Sequence, residues 1–89
     1  MGRTERIIGE IERKLLALAD ERSLLLEELS DHRDLADDAA RDAAVFDSPM
    51  DREAAIVTSR DVERIERLLT KNEAARSKLI ERLSRLELS

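Results

Sequence analysis

A chain of 89 residues can hold one small domain, and at that size a single core is marginal without a metal, a disulfide or a partner. With no cysteine and one histidine, it excludes a disulfide framework, a thiolate zinc site and a cage of imidazoles. The net charge of -5 and the lack of any aromatic residue besides Phe46 argue against nucleic acid as a direct ligand, since that affinity rests on basic side chains neutralising phosphates and on rings that stack on bases.

The opening residues, Met1, Gly2, Arg3, Thr4 and Glu5, lack the apolar stretch of a secretory signal. No later run approaches the roughly 20 apolar residues of a membrane span. A cytoplasmic location with no membrane contact is expected. From Ile8 onward an apolar ladder begins: Ile8, Ile11, Leu15, Leu18, Arg22, Leu25, Leu29, His32, Ala36, Ala39, Ala43, Phe46. Alternating steps of three and four keep one stripe facing a partner helix. The ladder predicts a helix over about 4–46, with Gly9 in its first turns and no interior proline.

Ser48 and Pro49 then interrupt the pattern. Ser48 can cap a following helix, Pro49 suits its first turn, and Asp51 completes an S-x-x-D box. A second ladder follows: Ala55, Thr58, Val62, Ile65, Leu69, Asn72, Arg76, Leu79, Leu83, Leu86. It predicts a turn over about 47–49 and a helix over about 50–87. So short a connection makes the helices antiparallel neighbours, pairing residues whose numbers sum to about 97. Ile11 would meet Leu86, Leu18 would meet Leu79, Leu25 would meet Asn72, and Phe46 would approach Asp51. The fold class is all-α: one domain over residues 1–89, a long antiparallel two-helix coiled-coil hairpin.

Two features qualify this seam. Arg22, Asn72 and Arg76 interrupt the ladders at similar heights, as a polar layer that penalises slipped registers would; a partner-binding notch, or a carboxylate relay with Glu21 or Glu73, is the competing reading. Ile7, Leu16, Leu24, Leu26, Leu68 and Ile80 lie off the seam, where a two-helix hairpin has no need of them. Together they would form an apolar flank of the kind that marks association. Leu16, Leu24, Leu26, Leu68 and Ile80 are therefore the candidate oligomer or docking surface, through which the hairpin would dimerise into a four-helix bundle or lie against a partner.

No catalytic constellation is present. His32 is the sole imidazole and sits at a seam position, where packing is the ordinary role and pH sensing a lesser one. The many carboxylates lack the enclosure that raises a pKa for general-acid work, and glycine-rich phosphate loops are absent. The chain reads as a non-enzyme with no cofactor and no resident metal. Its sharper feature is acidic. Asp31, Asp34, Asp37, Asp38, Asp42, Asp47, Asp51 and Glu53 crowd the turn, only partly offset by Arg33, Arg41 and Arg52. Solvation accounts for many such runs, yet aspartate is a poor helix former. A carboxylate cluster on a projection narrowed by alanine could also dock in a basic channel, or bind a hard cation jointly with another site.

The segment Phe46-Asp47-Ser48-Pro49-Met50-Asp51-Arg52 resembles the coiled-coil tip of the DksA/TraR family, which reads F-P-D-P-V-D-R-A. Phe46, Pro49, Asp51 and Arg52 match, and Met50 is an apolar replacement. The resemblance implies a hairpin that enters the secondary channel of bacterial RNA polymerase and places acidic tip residues near the catalytic magnesium. Asp51 is the aspartate it carries over. The family's first tip aspartate falls on Ser48, with Asp47 one place early, and its alanine after the arginine falls on Glu53. The four-cysteine zinc finger that usually follows the DksA hairpin is not among these residues, so the resemblance implies a fingerless relative or an excised coiled-coil domain. A fainter likeness joins His32-Arg33-Asp34-Leu35-Ala36-Asp37-Asp38-Ala39 to the H-G-D-L-S-E-N-A tip of the Gre cleavage factors. Asp34 matches its first acid and Asp37 stands for its glutamate, whereas Arg33 replaces the turn glycine and the heptad ladder runs straight through.

The expectation is a transcription regulator that binds bacterial RNA polymerase through an acidic coiled-coil tip. Its contacts would be Asp47, Met50, Asp51 and Arg52, with Asp34 and Asp37 as secondary acids. The alternative is a structural or adaptor coiled coil that homodimerises or docks on a protein partner and uses its aspartates only for solvation.

Overall fold

The structure is a computed structural model that describes residues 2–88. Two helices account for nearly all of it: α1, Arg3–Phe46, and α2, Pro49–Leu88. They pack against each other as an antiparallel hairpin with principal extents of 65 × 16 × 14 Å. Only Asp47 and Ser48 lie between them, so Pro49 belongs to α2 rather than to the turn. The first turn of a helix is where proline's fixed φ and missing N–H do no harm.

Most of the predicted ladder lies inward. Ile11, Leu25, Leu29 and Ile65 are buried, with Ile65 at 0% exposure. Leu25, Leu29 and Ile65 form the central cluster, and Val62, Leu68 and Leu69 pack against it. Leu15, Leu18, Leu79, Leu83 and Leu86 are half-buried along the base, and Ala36, Ala39, Ala43, Ala55 and Thr58 continue the seam toward the turn. Three ladder members depart from it. Arg22 and Arg76 are exposed, with Ala75 half-buried beside the latter. Phe46 is 68% exposed.

The register differs from the one expected. The Asn72 side chain donates from Nδ2 to the carbonyl oxygen of Leu18 at 3.0 Å. Were Asn72 level with Leu25, that carbonyl would lie about 10 Å away along the axis at 1.5 Å per residue, beyond the reach of an asparagine. The fold-back is therefore about one ladder step tighter than a sum of 97 implies. The two-residue turn, whose centre falls between Asp47 and Ser48, accounts for two residues of that shift, a sum of 95 in place of 97. The ladders still match, because a shift of one step moves each layer onto its neighbour. Phe46 is the residue left over: it lies beyond the last layer and finds no seam partner at Asp51.

Asn72 is 3% exposed, and its Oδ1 is buried with no hydrogen-bond partner. His32 is half-buried at the seam, as a packing histidine would be, with its Nδ1 likewise shielded and unpartnered. The expected polar layer thus reduces to one buried amide, and the two arginines project outward. The off-seam residues also divide. Leu68 belongs to the core's margin rather than to an open flank. Leu16 is 69% exposed, and Leu24, Leu26 and Ile80 are exposed too. Leu16 and Ile80 line one shallow recess, which Leu24 and Leu26 do not join.

Candidate interaction site at the turn

The turn is built by two caps back to back. Helix α1 ends when Asp47 enters the left-handed region at φ 46°, ψ 35°. Its N–H donates to the carbonyl of Ala43 at 3.0 Å, the single closing bond of an αL cap. Glycine usually fills such a position, and aspartate is among the few other residues that tolerate it. Helix α2 is capped by Ser48, whose Oγ accepts the Asp51 N–H at 3.1 Å and donates to Asp51 Oδ2 at 2.6 Å. Arg52 closes the corner: its N–H donates to the Ser48 carbonyl at 3.0 Å. Its guanidinium donates to Asp47 Oδ1 at 3.3 Å, an exposed pair.

This geometry sorts the predicted tip residues. Asp51 is half-buried and its carboxylate is engaged by the Ser48 hydroxyl, so it holds the turn together. Asp47 is the acid that faces outward, clipped from one side by Arg52. Met50 is 79% exposed. Near it in the chain are two more exposed apolar residues: Phe46, which the tip resemblance includes but the ladder assigned to the seam, and Val45, which sequence reasoning did not place at the site. The turn end is therefore apolar as well as acidic. A turn centre read one position earlier would have put Phe46 outside the last layer, and that was the available signal.

Of the remaining acids, the exposed Glu53 lies near the start of α2 and the others run down α1. Asp31, Asp34, Asp38 and Asp42 step by three and four, so they share one outward face that leads toward Val45. Arg41 is paired with Asp38 on this face. Asp34 and Asp37 are both exposed, and Asp37 lies off that face. Comparison with family models, curated proteins and solved structures found no match. Among the described residues no three acidic or imidazole groups converge to hold a metal ion, and no helix is long and apolar enough to cross a membrane. What the arrangement offers is a rigid, narrow end. It presents the outward Asp47 carboxylate, a guanidinium and three apolar side chains, backed by a line of carboxylates.

Proposed function

We propose that this hairpin regulates transcription by inserting its turn end into the secondary channel of bacterial RNA polymerase. The single observation that carries the reading is the turn: an outward Asp47 carboxylate, held by Arg52 and flanked by Phe46 and Met50, at the end of a rod 16 × 14 Å across. A two-residue connection capped from both sides resists bending, so the acid is delivered at a fixed place. The acidic face of α1 supports entry into a basic passage, because complementary charge steers encounter more than it adds affinity. The apolar side chains at the turn supply the contact that a purely solvating surface would not need. Asp47 takes the role that the resemblance gives to Asp51, since the Asp51 carboxylate is committed to the cap.

The test is binding of the fluorescently labelled hairpin to core polymerase, followed by a transcription assay with Asp47→Asn. Asparagine keeps both the αL conformation and the size of the side chain. The expected outcome is retained binding with regulation reduced at least tenfold. Unchanged regulation by an Asp47→Asn protein that still binds would remove the tip mechanism, and failure of the unmodified hairpin to bind polymerase would remove the partner.

A further inference from the structure

Away from the turn, the base half of the hairpin carries a second unpartnered surface, and it is composed in matched pairs. One recess of about 450 Å³ is lined by Ala19, Arg22, Glu73 and Arg76 among others. A second, of about 400 Å³, shares Ala19 and Arg76 and extends to Leu16 and Ile80. Leu16, Ala19 and Arg22 of α1 each have a complement on α2. Leu16 lies across from Ile80, both apolar and exposed. The small Ala19 lies across from the long Arg76, and Arg22 lies across from Glu73. Yet among the described residues neither Arg22 nor Arg76 forms an ion pair or hydrogen bond, although Glu73 lines the same recess.

We infer that this face binds a second copy of the chain, related by a two-fold axis running parallel to the rod. Such an axis lays α1 of one copy on α2 of the other at unchanged height. It satisfies all three layers at once. Each Leu16 packs on the partner's Ile80, each Arg76 stem lies over the partner's Ala19, and each Arg22 meets the partner's Glu73. An isologous contact requires a self-complementary patch, and a face carrying both signs around an apolar centre is one. An axis across the rod would instead set α1 on α1 and break the Leu16–Ile80 match. The product is a four-helix bundle of antiparallel neighbours confined to the base half, with both turns at the same end, about 36 Å beyond Ser23 at 1.5 Å per residue. This inference goes beyond the reading of the turn and is independent of it.

Sedimentation equilibrium with small-angle scattering on the unmodified chain tests it. The expected result is a dimer whose longest dimension stays near the 65 Å of one hairpin. Ile80→Glu should abolish the dimer. Arg22→Glu should weaken it at least tenfold, and Arg22→Glu combined with Glu73→Arg should recover most of that loss, each with helicity checked by circular dichroism. A monomer at several hundred micromolar overturns the proposal. So does a dimer of about 90 Å, the length of an antiparallel base-to-base pairing, or an Arg22→Glu dimer as tight as the original.

Discussion

At the residue scale, the turn rests on two side chains with different duties. Asp47 occupies a left-handed conformation that β-branched residues adopt only under strain. Asp47→Val should destabilise the hairpin by about 1–2 kcal/mol, whereas Asp47→Gly should cost nothing. Urea unfolding followed by circular dichroism separates the two, and equal stability of both variants would mean that the cap does not set the turn. Ser48→Ala removes the oxygen that satisfies the Asp51 N–H and should cost about 1 kcal/mol. The capping box was legible in the sequence because Ser48, Pro49 and Asp51 each have a positional signature. The division of labour between Asp47 and Asp51 was not. It depends on which carboxylate the Ser48 hydroxyl takes up, a matter of side-chain direction that residue type does not encode.

At the scale of the helices, stability comes from one seam with a few defects. Ile65 is fully buried among Leu25, Leu29 and their neighbours, and Ile65→Ala should cost about 2–5 kcal/mol. Two changes should act in the opposite direction. Gly9 lies inside α1, and a methyl group there would meet only Arg13 Nη1 at 3.5 Å, an ordinary contact. Gly9→Ala should therefore stabilise by about 0.5–1 kcal/mol. Asn72→Leu removes a buried, unpartnered Oδ1, and the Leu18 carbonyl that it releases keeps its bond within α1. A gain of about 1 kcal/mol is expected, at the expense of a polar contact between the helices that marks the register. Thermal melts of both variants check these signs, and a loss of stability in either would contradict the packing described. The ladders themselves were plain in the sequence, since apolar residues at alternating steps of three and four fall on one face of a helix and scatter over both faces of a strand. Their offset was harder to read. Matched heptads fit equally well when slipped by one step, so only the size of the turn decides between registers. That same slip hid the exposure of Phe46.

At the scale of the whole molecule, the hairpin is a lever with two different ends. The base carries paired apolar and charged side chains suited to association. The turn carries an acid, a guanidinium and exposed Val45, Phe46 and Met50 on a cross-section of 16 × 14 Å. Composition foretold the acidity of that end. Its apolar character came only from knowing where the last seam layer stops. The most direct measurement is site-specific cross-linking from the turn. A photoreactive amino acid in place of Met50 leaves the caps intact, because the Met50 side chain is exposed and takes no part in them. In the presence of core RNA polymerase, cross-links should form to residues lining the secondary channel and weaken with excess unlabelled hairpin. Cross-links confined to other surfaces of the polymerase, or none at saturating hairpin, would contradict insertion of the turn.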